Sequence, residues 1–415
     1  MPSARIHEAI ARKINEDYKM DDILLRIGTV SPDSWRNVET DSGVKDKYLT
    51  HFWNFRIKDG QANDYEEFYL KYYRELNNPF YFGYLIHLIT DQYWKTFIDP
   101  KYFVVEDGIT KIRLKDGTLH ENKDWYSYYE SIKIQKQICK IYDLGVLPTR
   151  MENIPNFKCE IDELNLNGLF GLNGTLSYIN NNLMPGEKEE ISQVFDIDDI
   201  VKYIDITVEF IKKELIRLEQ LRIENDKKIK IAVDIDDTLL CTKELEEYYW
   251  NIFLKDNPSI RPDQEYKWGN PILIKFWTEY REKMAFGSAK KDAPATLKHL
   301  LSKGYRIDLL SARPLEKYSS LKKQLVDHFE KIDIDYDYMN LGFYSKQEFL
   351  KKHGYNILID NDMKYIEEAE LVGVIPILYG PYNSNYVGYQ TANWSEIPEI
   401  VEKIINENKM SNIKK

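Results

Sequence analysis

The stretch that most constrains how this chain can fold is KIAVDIDDTLL, residues Lys230–Leu240. Ile231, Ala232 and Val233 make a short apolar run suited to a strand buried on both faces, the kind found inside a parallel sheet. Asp234 and Asp236 follow at once, with Thr238 two residues on. Carboxylates at the end of a buried strand are costly to desolvate unless a cation or a reaction uses their charge. At the carboxyl end of a parallel strand they would face the crevice in which open α/β sheets bind ligands. A solvated acidic turn is the competing reading of five residues, so the stretches downstream have to decide.

Downstream, apolar runs recur, several of them followed closely by a polar residue. Tyr305–Leu310 reads as a second strand with Ser311 at its end, in YRIDLLSARP. A third strand is expected within 335–343, followed by Lys346. Asn356–Ile359 is a fourth strand and runs into Asp360-Asn361-Asp362; Val374–Leu378 is a fifth. Residues 241–290, between the first two strands, read as helical and aromatic, with Tyr248, Trp250, Trp268 and Phe276. An insertion there suits a small helical cap, whose aromatic faces most often form its own core but can also stack on a nucleobase.

The order D-x-D-x-T (234–238), Ser311, Lys346, Asp360 resembles the four motifs of the haloacid dehalogenase superfamily of phosphohydrolases. The resemblance implies a Rossmann-like α/β domain over residues 226–410, with the cap at about 241–290. It implies a phosphomonoesterase in which Asp234 attacks phosphorus and Asp236 serves as general acid and base. Ser311 and Lys346 would hold the phosphoryl oxygens. Mg2+ would be held by Asp234, the backbone carbonyl of Asp236, and Asp360. Asn361 departs from the acidic pair common at that point. SARP, the aromatic cap and the ending PYNSNY followed by NWSEI resemble the 5′(3′)-deoxyribonucleotidase-like branch, which implies nucleoside monophosphates or similar small phosphomonoesters as substrates.

The first half carries a different donor set. Ile6, Ile10 and Ile14 mark a helix to about Tyr18, with His7 beside the stripe. GTVSPDSW puts Asp33 on a Pro-started turn, and LTHFW supplies His51. Asp64 and Glu67 form a capping box for a helix reaching Glu75. PFYFGYLIHLITDQYW, residues 79–94, is apolar almost all round and should be a buried helix, with His87 and Asp91 on one face. A single buried His is more often a structural residue bonded to backbone, but imidazole and carboxylate gathered together suit zinc.

These residues resemble the all-helical zinc-dependent phospholipase C and single-strand nuclease family. Carried over one at a time, His7 would help bind one Zn2+, Asp33, His51 and His87 another, and Asp91 would bridge or be shared. The resemblance implies an all-α domain over residues 1–225 that cleaves phosphodiesters. The family's later H-x-x-x-E is replaced by His120 and Asp124, beyond an expected hairpin at Lys115-Asp116-Gly117. Two readings therefore stay open for this half: a phosphodiesterase, or a metal-stabilised binding or assembly module beside a catalytic C-terminal domain.

A stripe from Ile197 to Leu221 predicts a long amphipathic helix closing the first domain, and ENDKK at 224–228 is the expected boundary. The formal net charge is −11, so general affinity for nucleic acid backbone or anionic membrane is not expected. No apolar run reaches membrane-spanning length, the first twenty residues lack the apolar core of a signal peptide, and Cys139, Cys159 and Cys241 are far apart. The expectation is a cytoplasmic protein.

Overall fold

One helix of 30 residues, Ile197–Asp226, carries the chain from its first half to its second. Ile200, Ile204, Val208, Ile211 and Leu218 bury its apolar stripe. Near its end, between Arg222 and Ile223, the chain divides into two compact units. The computed structural model describes residues 2–37, 47–56, 63–121, 123–154, 157, 161, 168–181, 191–261, 270–313 and 321–413. Trp268 and the expected start of a helix at Leu315 lie outside them, as does the side chain of Asp124.

The first unit is built on the helix Pro79–Tyr93, buried from Phe80 to Asp91. Asn78 caps it by accepting from Phe80 N, and Pro79 starts it, where its missing N–H costs nothing. It lies so close to the helix Asp22–Val30 that no side chain fits between them. A Cβ at Gly83 would stand 2.1 Å from the Leu25 carbonyl oxygen, and one at Gly28 2.2 Å from that of Phe80. The helix Ala4–Tyr18 packs on both. Asp64 caps the helix Tyr65–Tyr72 through Glu67 N, and a 3-10 turn extends it to Glu75.

The all-α expectation needs correction. A three-stranded antiparallel sheet is present, of β1 (Phe103–Glu106), β2 (Ile109–Arg113) and β3 (Leu119–His120). Asp107 and Gly108, at φ 51° and 75°, make the first turn of the kind Asp-Gly favours, and Lys115–Thr118 makes the second. Ile112 and Leu114 anchor the sheet on a small core with Val194. Residues 168–181 form one helix of 14 residues.

The second unit contains a six-stranded sheet of β4 (Lys230–Val233), β5 (Arg306–Ser311), β6 (Tyr338–Leu341), β7 (Ile357–Asp360), β8 (Ile375–Tyr379) and β9 (Tyr389–Thr391). Their order is β6-β5-β4-β7-β8-β9, and every neighbouring pair is parallel. The chain runs outward from β4 through β5 and β6, then returns to β4's other side for β7. The carboxyl end of β4 is therefore the switch point where such sheets open a crevice. β9, three residues long, was not expected from the sequence. Between β4 and β5 stand the helices Lys243–Asp256 and Pro271–Met284, which share a core of Phe253, Phe276, Tyr280 and Met284.

Candidate functional site

The parallel register brings the first and fourth acidic motifs level. Val233 pairs with Ile359, and the Asp234 N–H donates to the Ile359 carbonyl at 2.9 Å. Asp234 and Asp360 thus leave adjacent strands at the same height. Lys346, fully buried at the start of the helix Gln347–His353, reaches both: its Nζ is 2.7 Å from Asp234 Oδ1 and 2.6 Å from Asp360 Oδ2. Glu368 fixes the lysine's backbone by accepting from its N–H at 2.6 Å. Asp360 Oδ1 accepts from the Asp362 N–H at 3.0 Å, whereas Asp234 Oδ2 accepts no hydrogen bond among the described residues.

Burial dominates the electrostatics. It pushes the Asp234 carboxyl up to about 7; Lys346 pulls it down, and Asp360 and Asp236 push it further up. The Asp360 carboxyl is raised as well, by burial first, with Lys346 opposing. Burial works against the Lys346 ammonium, yet the two carboxylates hold it above the usual lysine range. This is a crowded anionic recess in which a lysine already compensates part of the charge.

Asp236 is held differently. The loop after β4 turns back sharply: Leu239 and Leu240 both donate to the Ile235 carbonyl, and Asp237 takes a left-handed φ of 58°. Asp237 Oδ1 accepts from the N–H groups of Thr242 and Lys243, which ties the loop to the next helix. Asp236 then meets Arg313 in a two-pronged pair, Nε to Oδ2 at 2.8 Å and Nη2 to Oδ1 at 2.6 Å. The side chain of Asp236 is 42% accessible. Burial pushes its carboxyl up, and the Arg313 guanidinium more than offsets this and holds it below the usual range. Arg313 also donates to the Ala285 carbonyl at 3.0 Å, just past the helix Pro271–Met284.

Ser311 ends β5, 2% exposed, with its Oγ accepting from the Arg313 N–H at 3.2 Å. Asn361 accepts from Thr238 Oγ1 at 2.9 Å, a link between the first and fourth motifs. Asp362 caps the helix Met363–Leu371 through Lys364 N. Asp360 is thus the carboxylate at this strand end that meets Lys346, and Asp362 serves the helix. Arg313 and Glu368 escaped the sequence reading. Arg313 lay in plain view in SARP, but an arginine two residues past a strand-end serine has no distinct pattern of its own.

In the first unit His7, Asp33, His51, His87 and Asp91 converge, from the helix Ala4–Tyr18, the 3-10 segment Ser31–Asn37, the end of the short helix Lys47–Thr50, and the helix Pro79–Tyr93. Among the described residues they form two groups of ligand-type atoms within 4.8 Å of one another, His7-His87-Asp91 and Asp33-His51-His87. His120, on β3, belongs to neither. His87 Nδ1 is 2.7 Å from the Thr29 carbonyl oxygen, which can only accept, so Nδ1 carries the proton. His51 Nδ1 is likewise 3.0 Å from the Lys47 carbonyl oxygen.

Both Nε2 atoms are then lone pairs, and they lie 3.2 Å apart. Asp91 Oδ2 is 3.6 Å from each, and Asp33 Oδ1 is 3.7 Å from His51 Nε2. Burial, reinforced by the neighbouring imidazoles, lowers His51 to about 3 and His87 to about 4, so both are neutral at pH 7. Lone pairs and carboxylates that face one another repel unless a cation lies among them. Nitrogen and oxygen donors with their Nδ1–H groups anchored on backbone carbonyls fit zinc.

No family model and no curated protein matches the chain. Solved structures do. One is a haloacid dehalogenase-like hydrolase from Streptococcus pneumoniae, at 14% identity and TM-score 0.35, over 42% of this chain and 98% of that one. Another is a hydrolase of the same type from Bacillus subtilis bound to magnesium, at 12% identity and TM-score 0.32, with the same coverage. A third is CbbY from Rhodobacter sphaeroides in complex with xylulose 1,5-bisphosphate, at 13% identity and TM-score 0.30, over 41% of this chain and 96% of that one.

Proposed function

We propose that the second unit is a magnesium-dependent phosphomonoesterase acting on a small ester of the nucleotide kind. The observation that carries this is Lys346 set between Asp234 and Asp360 at the switch point of the parallel sheet, with Asp236 clamped by Arg313 beside them. Asp234 is the nucleophile, since Oδ1 is engaged by the lysine and Oδ2 is left to attack phosphorus and form an aspartyl-phosphate. Asp236 acts in its protonated form, giving a proton to the leaving oxygen and regaining one from the water that frees phosphate; Arg313 favours the ionised form, so this role requires the pair to loosen when the ester binds. Ser311 and Lys346 hold the phosphoryl oxygens as charge moves onto them. Mg2+, held by Asp234, Asp360 and the Asp236 carbonyl, supplies partial neutralisation of the ester dianion. The helices 243–256 and 271–284 act as the cap, on which exposed Tyr248 offers a face to a base.

The first unit, in this reading, binds zinc through the His–Asp cluster and cleaves phosphodiesters, so that its product is the ester class consumed by the second. One observation favours a second reading, a metal-stabilised binding module: His120, the nearest stand-in for the later family ligands, lies outside both ligand groups. Product analysis on a panel of diesters separates the two. Asp234→Asn should lose at least about three orders of magnitude in monoester turnover and accumulate monoester from a diester. His87→Ala should leave diesters intact and still hydrolyse added monoester. Diesters untouched by the zinc-loaded wild type would leave the first unit as a binding module. Near-normal monoester turnover by Asp234→Asn would remove the nucleophile assignment.

A further inference from the structure

Lys346 has an aromatic neighbour besides its two carboxylates. Its Nζ lies over the ring of Tyr365, 4.3 Å from the centroid. An ammonium over the face of an aromatic ring is drawn to the negative side of the ring's quadrupole, and the attraction grows where water is excluded. Lys346 is fully buried and meets that condition. Lys364 also lies over this ring, at 4.7 Å, but its side chain is 54% accessible and its Nζ donates to the Tyr344 carbonyl.

One helix grips the lysine at both ends. Met363–Leu371 follows closely on Asp360 and is capped by Asp362. Tyr365 and Glu368, three positions apart, are neighbours on its surface. Glu368 accepts from the N–H groups of Lys346 at 2.6 Å and Gln347 at 3.3 Å, which holds the lysine's backbone. The ring of Tyr365 meets the other end of the same side chain. Tyr365 is itself packed against the core cluster that includes Leu350, Leu358 and Ala369, so the ring has a firm seat.

An ammonium has three N–H groups. Two are given to Asp234 Oδ1 and Asp360 Oδ2. A carbonyl or carboxylate in place of the ring would take the third in a fixed direction and compete for it with a phosphoryl oxygen. A π face attracts the charge as a whole and leaves that N–H to be given to the ester.

We propose that Tyr365 is a positioning residue for phosphoryl transfer, whose ring holds the Lys346 ammonium between Asp234 and Asp360 while leaving it a donor for the phosphoryl group. This rests on the phosphomonoesterase reading above and extends it to a residue that touches neither carboxylate nor ester. If the ring served the core alone, its size and shape would matter and its charge distribution would not.

The test separates the two in the full chain. Position 365 is filled in turn by phenylalanine and by mono-, di- and trifluorophenylalanine, and kcat and KM are measured on an aryl phosphate in saturating magnesium. Fluorine draws electron density from the ring face and scarcely changes its shape. Tyr365→Phe should keep kcat within about three-fold of wild type, and each added fluorine should lower it further. Tyr365→Leu should lower it about 5- to 30-fold. The loss is expected in kcat rather than KM, because the lysine's contribution grows as charge moves onto the phosphoryl oxygens. Equal kcat across phenylalanine and its fluorinated forms would overturn the positioning role and leave the phosphomonoesterase reading standing. A wild type without monoester turnover would overturn both. If Tyr365→Leu does not fold, the fluorinated series still decides.

Discussion

At the scale of single residues, the second unit turns on how Asp236 is held. A carboxylate gripped by both prongs of a guanidinium has a fixed orientation, and lysine cannot reproduce that grip. Arg313→Met should therefore lower monoester turnover by about 10²- to 10⁴-fold, the range attributed to a placed acid–base group. Arg313→Lys should recover only part of it. Steady-state kinetics on an aryl phosphate read this, and an unaltered kcat in Arg313→Met would show the pair to be incidental. In the first unit, the neutral, buried His51 and His87 give a pH dependence of known sign. Their folded values, about 3 and 4, lie below the ordinary 6.5, so below pH 6.5 the unfolded chain binds protons that the folded chain does not. Stability of the metal-stripped protein is then fully present above pH 6.5. It declines as pH falls toward 4, by at most about 1.4 kcal/mol per unit for each histidine. Urea unfolding at pH 7.5 and 5.5 checks it; equal midpoints would contradict the burial of uncharged imidazoles.

At the scale of elements, the close approach of two helices sets His87 in place. Gly28 and Gly83 let the backbones touch, and one turn beyond Gly83 the imidazole of His87 reaches the Thr29 carbonyl. Gly83→Ala drives a methyl group against the Leu25 carbonyl. It should cost about 1–3 kcal/mol or more in denaturant unfolding and weaken zinc retention, although Gly83 touches no ligand. Normal stability with full zinc content would mean that the helices part without cost. This approach was not legible in the sequence, where a glycine inside an apolar helix says nothing about which backbone it meets. Elements whose periodicity is long and unbroken were legible: the helix 79–93, the stripe that became 197–226, and the buried strands with polar residues at their ends. Short pieces held by neighbours were not. β9 exists because β8 offers it an edge, and β1–β3 fold over a core completed by Val194, more than 70 positions further on. Arg313 was hidden for the same reason, since its meaning comes from Asp236, 77 positions away.

At the scale of the whole molecule, the described residues include two sets of metal-type donors with opposite chemical character. One is oxygen only, and the other is nitrogen with oxygen, which suits magnesium and zinc respectively. A zinc-selective chelator added to the full-length protein in excess magnesium should abolish diester cleavage and spare monoester hydrolysis. A general chelator should abolish both, and magnesium alone should restore only the second. Parallel loss of both activities with the zinc-selective reagent would argue against separate metal requirements.

The charges around Lys346 fix an order of events. Among the described residues Asp234, Asp236 and Asp360 pair with Lys346 and Arg313, and these five side chains carry one negative charge in excess when every group is ionised. A phosphate ester arriving as a dianion meets net repulsion there. In the proposed reaction a divalent cation would reverse the sign, so that the ion would enter first and the ester second. Phosphate freed at the end of the proposed reaction would leave a recess that is still positive, which would make letting go of the product the slow part of a turnover.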